Sequence, residues 1–145
     1  MSVSSFMTLT TASTSSAAYT RLHGELRHAL DVIERDFRAG IRVVWMHEGY
    51  GSRIVLLIRT AAGDEHVYYY LSGSTLYRWM DGQIQQVAGG LSTVEFALLD
   101  ASGAVTATLA NAKSIDVTLT GSSRVLSKTC DDTVRTRIAM RNGDV

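Results

Sequence analysis

The chain has 145 residues, 46% of them apolar and 19% charged, which suits one globular domain with its own core. Its formal net charge is zero, so no whole-molecule field draws it to nucleic acid or to an anionic membrane. With Cys130 the single cysteine, an intrachain disulfide is excluded, and no apolar run approaches the roughly 18 residues that a bilayer span needs.

Residues 1–15 are small and polar. They read as a tail, either disordered or left over from the trimming of a longer chain, ahead of one globular domain over 16–145. They lack the charged start and apolar block of a signal peptide. Ser15 or Ser16 suits the cap of a helix running from Ala17 to Ala39. Tyr19, Leu22, Leu26, Ala29, Leu30, Ile33 and Phe37 recur at spacings of three and four, which is one apolar stripe. Arg21, Gly24, His28, Asp31, Arg35 and Arg38 lie on the other side. Asp31 with Arg35, and Glu34 with Arg38, are acid-before-base pairs one turn apart. Arg35 and Arg38 suit the negative end of the helix dipole, and Gly40 is the expected stop. Gly24 weakens the helix by about 1 kcal/mol relative to Ala; close approach of another backbone and a neutral surface position explain it equally well.

After Gly40 the period changes to two. Ile41 to His47 and Arg53 to Thr60 read as a hairpin around Glu48-Gly49-Tyr50-Gly51-Ser52. Further strands are expected at Glu65 to Leu71, Thr75 to Met80, Gln83 to Ala88, Val94 to Leu98, Val105 to Leu109, Ile115 to Thr120 and Thr133 to Arg141. Asp81-Gly82 is the strongest hairpin signal, because a type I′ turn needs two residues with positive φ. Gly121-Ser122-Ser123 is expected to end its strand. No second helix suggests itself, so parallel crossovers are excluded and the strands form one antiparallel meander. The fold class is α+β, an N-terminal amphipathic helix packed on that meander.

Few residues point to chemistry. His23 and His28 stand five apart, too far round the helix to share a metal, and His47 and His66 lie elsewhere; all four read as surface residues. Asp131-Asp132 and Asp64-Glu65 are acidic turns without the ligand spacing of a calcium loop. No serine sits in a GxSxG elbow, and neither Gly89-Gly90 nor Gly49-Tyr50-Gly51 matches a phosphate-binding loop. The chain reads as a non-enzyme with no metal and no cofactor. Tyr68, Tyr69, Tyr70, Tyr77 and Trp79 fall on adjacent strands. With arginines nearby such a face stacks nucleic-acid bases, and Tyr68, Tyr70, Trp79, Arg135 and Arg137 are the candidates; plain cross-strand packing explains the same rings.

The order of the pieces resembles a family, the minor pseudopilins of type II secretion (J-type) and the related minor pilins of type IV pili (W-type). The resemblance covers nearly the whole chain. It rests on the helix segment from Arg27 to Arg38, on Val67-Tyr68-Tyr69-Tyr70-Leu71 followed by Thr75-Leu76-Tyr77-Arg78, on Gln86 to Leu91 leading to Val94-Glu95-Phe96 and Asp100, and on the ending Ile138-Ala139-Met140-Arg141-Asn142. The family implies a pilin-like fold and a structural role in a priming or tip complex. It implies other minor subunits and the major subunit as partners, an inner-membrane anchor, a periplasmic domain and a place in the assembled filament. A prepilin opens with a basic leader, a glycine, Phe-Thr-Leu-x-Glu and an apolar segment of about twenty residues. Phe6-Met7-Thr8-Leu9 departs from that motif, with no glycine before it and no glutamate after it. The expectation is a trimmed chain whose Met1 is artificial. Arg21, Gly24, His28, Asp31 and Arg35 would then face neighbouring subunits, and a ligand-binding tip module for DNA or a secreted substrate is the alternative.

Overall fold

The helical period at the start and the two-residue period after Gly40 dictate one helix followed by strands. The computed structural model describes residues 3–46, 50–125 and 128–140. Helix α1 (Val3–Arg38) precedes β1 (Gly40–Trp45), β2 (Tyr50–Gly51), β3 (Arg53–Thr60), β4 (Gly63–Ser72), β5 (Thr75–Met80), β6 (Gln83–Ala88), β7 (Leu91–Leu99), β8 (Ser114–Val125) and β9 (Lys128–Ala139). The class is α+β, with the helix first and packed on antiparallel strands. The single meander is replaced by two sheets, ordered β1-β3-β4-β5-β6 and β2-β7-β8-β9. Two places make the division. At Gly90, with φ 73, the chain leaves β6 for the second sheet. β1 and β3 pair antiparallel as expected, and the segment between them also contributes β2, whose Tyr50 and Gly51 pair with Ala97 and Phe96 of β7.

The helix begins at Val3 rather than at Ala17, so 3–15 are helical where a tail was expected. Nothing between Val3 and His23 stops a helix: there is no glycine and no proline. Serine and threonine cost only about half a kcal/mol each relative to alanine, and extending a nucleated helix is far cheaper than starting one. Its end is where Gly40 predicts, because a Cβ there would lie 2.8 Å from the Phe37 carbonyl oxygen. The stripe from Leu22 to Phe37 is buried as expected, joined by Val32 and Asp36. Tyr19 departs from it and is 45% exposed.

Both sheets turn their apolar pleats toward the helix. Ile54, Leu56, Ile58, Val67, Tyr69 and Leu76 come from the first, and Phe96, Leu98, Ile115, Val117, Leu119, Val134 and Ile138 from the second. Burial of each such side chain stabilises by about 1.5–3 kcal/mol. Three predicted details change. Val105 to Leu109 is no strand: Val105 makes one bridge to Leu99, and 109–111 form a 3-10 turn. The cause is Asp100, whose carboxylate accepts from Ser102 N (2.9 Å), Ser102 Oγ (2.6 Å) and Ala104 N (3.1 Å) and so folds the chain back. The strand expected to stop at Gly121 continues to Val125, because Gly121 is a contact point and not a turn. A Cβ at Gly121 would stand 2.8 Å from Leu22 Cδ1 and 3.1 Å from the Gly90 carbonyl oxygen. Lastly, the final strand ends at Ala139, and Arg141 and Asn142 fall outside the described residues.

Close helix approach therefore needs a glycine at 121, and Gly24 has open space around it. Gly121→Ala is expected to lower unfolding free energy by about 1–3 kcal/mol through overpacking against Leu22. Gly24→Ala is expected to raise it by about 1 kcal/mol. Urea denaturation of the two variants checks both signs.

Candidate functional site

The most organised polar cluster lies where the last helical turn meets the first sheet. Asp36 sits on the buried side of α1, beside Phe37. Tyr69 occupies the inward pleat of β4, directly across from Arg78 on β5. Register therefore brings a phenol and a guanidinium under one carboxylate. Arg78 Nε donates to Asp36 Oδ2 at 2.6 Å and Nη2 to Oδ1 at 3.1 Å, a two-pronged charge-assisted pair. The Tyr69 hydroxyl donates to the same Oδ2. Asp36 is 4% exposed and Tyr69 is fully buried. Both carboxylate oxygens have donors, and one of the two partners is a cation, which is the condition for keeping a charge there. The cluster lies inside the protein, between helix and sheet. It is a latch that fixes how the helix seats on the sheet.

Burial, with the Asp36 charge second, pushes the Tyr69 phenol far above the ordinary tyrosine value. The sign follows. A phenol that resists ionisation only when folded contributes stability that is complete below pH 10, the unfolded value, and is lost as pH rises beyond it. Stability of the wild-type chain is expected to fall more steeply above pH 10 than that of Tyr69→Phe, as read by thermal melts at stepped alkaline pH.

The outer pleat of the same sheet carries the aromatic residues. Trp45, Val55, Tyr68, Trp79 and Ile84 stand opposite one another from strand to strand and form a row across all five strands. Tyr70 bridges Tyr68 (ring centroids 5.1 Å apart) and Tyr77 (5.4 Å, stacked). Tyr68, Tyr70 and Trp79 thus share a face, and Tyr69 is on the other. Arg135 and Arg137 are on β9 of the second sheet. There Arg137 clasps Asp116 at 2.7 and 3.1 Å, and Arg135 approaches it at 3.7 Å. That pairing, led by the Arg137 hydrogen bond, holds the Asp116 carboxyl below its usual range. The two halves of the predicted basic–aromatic face therefore stand on different sheets. The arginines on the outer pleat of this sheet are Arg53, opposite Tyr70, Arg59, opposite Asp64, and Arg42, opposite Leu57.

Arg21, Gly24, His28, Asp31 and Arg35 are all exposed along α1. Glu34 pairs with Arg38 at 3.5 Å and also accepts from Thr136 Oγ1 of β9 at 2.9 Å. His23 is tied to Asp132 of β9 at 2.5 Å, with the Tyr19 hydroxyl on the other carboxylate oxygen at 3.3 Å. So Asp132, expected in a solvated turn, anchors the upper helix. His66 is exposed, and His47 lies outside the described residues. Among the described residues no three His, Cys, Asp or Glu are grouped to hold a metal ion. A shallow open depression of about 390 Å³ is lined by Asp100, Ala101, Ser102, Ala110, Asn111 and Lys113, but the Asp100 carboxylate is spent on its own loop. Cys130 is half-buried in β9.

Sequence reasoning missed the latch because Asp36 falls inside an apolar stripe and Tyr69 inside a run of three tyrosines. The signal available was alternation: in a strand the middle of three tyrosines faces away from its neighbours. No protein-family model matches this sequence, and no curated protein matches it significantly. No helix among the described residues is long and apolar enough to cross a membrane.

Proposed function

We propose that the chain is a structural subunit of a type IV pilus-like filament or a type II secretion pseudopilus, a minor pilin or pseudopilin acting through protein–protein contacts. The observation that carries this reading is the latch. Two separate blocks on which the family resemblance rests, the helix segment holding Asp36 and the strand pair holding Tyr69 and Arg78, meet in one buried hydrogen-bonded cluster. Residues that resemble a family at scattered places and then close on one another argue for a shared fold more strongly than either block alone.

Helix length adds to it. From Leu22, packed against Gly121, α1 runs back to Val3, about 28 Å at 1.5 Å per residue. Beyond the same Gly121, strand β8 runs on only to Val125, about 13 Å at 3.3 Å per residue. The helix is longer than its sheet, as a filament subunit requires. Its exposed face carries Arg21, Glu25, His28, Asp31 and Arg35, mixed charges that fit a partner of complementary pattern better than a copy of the same helix.

Binding to the minor pilins encoded by the same organism tests this. The wild-type chain is expected to bind at least one of them in solution. A double variant, Asp31→Lys with Arg35→Glu, is expected to keep its melting temperature and lose that binding. No binding by the wild type to any of them contradicts the reading.

A further inference from the structure

Strand edges offer unpaired backbone groups, and folded proteins blunt them with charge, bulges or short length. The four edges here are β1 and β6 of the first sheet and β2 and β9 of the second. β2 has two residues. β1 carries Arg42 and two register shifts within six residues. β9 carries Lys128, Asp131, Asp132, Arg135 and Arg137. β6 has the sequence Gln-Ile-Gln-Gln-Val-Ala, with no charge, and Gln83 to Gln86 are exposed. Ile84, at 63%, is the most exposed of the large apolar residues described.

The turn before β6 decides which backbone groups are free. Asp81 (φ 50) and Gly82 (φ 74) form a two-residue turn. In such a hairpin the flanking pair, Met80 and Gln83, exchanges both backbone hydrogen bonds, and bonded and non-bonded pairs alternate from there. Gln83 and Gln85 therefore spend their N–H and C=O on β5. Ile84 and Gln86 turn theirs outward, where no described strand takes them.

We infer that β6 pairs antiparallel with β6 of a second copy of this chain, about a two-fold axis through Gln85 and normal to the sheet. Ile84 then lies opposite Gln86 of the partner subunit, and Gln86 opposite the partner subunit's Ile84. Each pair exchanges two backbone bonds, so all the outward groups of both residues are used. A two-fold axis normal to the sheet requires paired residues to share a face, and Ile84 and Gln86 do. The strand has no charge and the chain has no net charge, so self-pairing meets no repulsion, while an acidic or basic segment gains nothing here. The same axis puts both aromatic rows on one side of a joined sheet, continuing a row that now ends at Ile84. The contact is small, and self-association is expected to be weak.

Disulfide trapping in a Cys130→Ser background tests the register. Across the axis the two Gln85 residues form a non-bonded pair with Cα atoms about 4.5 Å apart, within the reach of a disulfide. Gln85→Cys is expected to cross-link under mild oxidation at least tenfold faster than Ile84→Cys. Sedimentation equilibrium of the wild type is expected to show a concentration-dependent dimer. Ile84→Pro removes only an outward N–H, so it is expected to abolish that dimer with an unchanged melting temperature. A wild type that stays monomeric at every concentration, or equal cross-linking at 84 and 85, overturns the inference. These measurements use the chain alone, so their failure leaves the filament reading standing.

Discussion

Asp36→Ala is expected to lower unfolding free energy by about 3–5 kcal/mol, the usual cost of stranding a buried charge. Arg78 Nε and the Tyr69 hydroxyl lose this acceptor at once, and Arg78 Nη2 keeps only the weak Met80 sulfur at 3.5 Å. The Arg78 side chain is only 11% exposed, so bulk water solvates the stranded charge poorly. For a domain of this size each kcal/mol moves the midpoint by a few degrees, so the melting temperature is expected to drop on the order of 10 °C. The companion variant separates charge from packing. Asp36→Leu combined with Arg78→Leu and Tyr69→Phe removes all three polar partners and is expected to recover most of the loss, because a buried polar cluster often does no better than apolar side chains of similar volume. A single Asp36→Ala loss below about 1 kcal/mol, read from urea curves, would mean the latch does not hold the helix.

Phe37→Ala is expected to cost about 3–5 kcal/mol, for a different reason. Its ring meets Tyr69 of the first sheet edge-on at 6.0 Å and Phe96 of the second at 5.9 Å, and those two rings lie 6.4 Å apart. One ring comes from each layer, so truncation leaves a cavity where helix and both sheets meet, and none of the three can move in alone to fill it. Phe37→Leu is expected to cost markedly less, because most of the volume remains. Phe37 and Asp36 both act on Tyr69, so the double variant is expected to deviate from additivity by about 0.5 kcal/mol or more. Denaturant curves of the two singles and the double, with equal m-values, check it.

Most of the fold was legible because the local signals are strong. The stripe from Leu22 to Phe37, the Gly40 stop and the Asp81-Gly82 hairpin all depend on residues close in sequence. What was not legible depends on distant partners. Gly121 reads as a turn until Leu22 is placed above it. Tyr50 and Gly51 read as a loop until β7 is placed beside them. The helix start was placed at Ala17 because 1–15 are small and polar and carry no apolar stripe of their own, whereas a helix already nucleated further along by Leu22 and Leu26 extends back through them. For the candidate sites, the helix face is exposed where the stripe said it would be. The aromatic face formed, but its supposed arginines belong to the other sheet, since nothing local tells which sheet a strand joins. Asp36 was hidden for the same reason: its value lies in Tyr69 and Arg78, far away in sequence.

The filament role is tested most directly by deleting the gene in its own organism and counting surface filaments or measuring secretion through the pseudopilus. Loss of the filament or of secretion is expected. Restoration is expected from the wild-type gene and not from the Asp31→Lys, Arg35→Glu variant, although that protein folds. A deletion strain with normal filament number and normal secretion would contradict it.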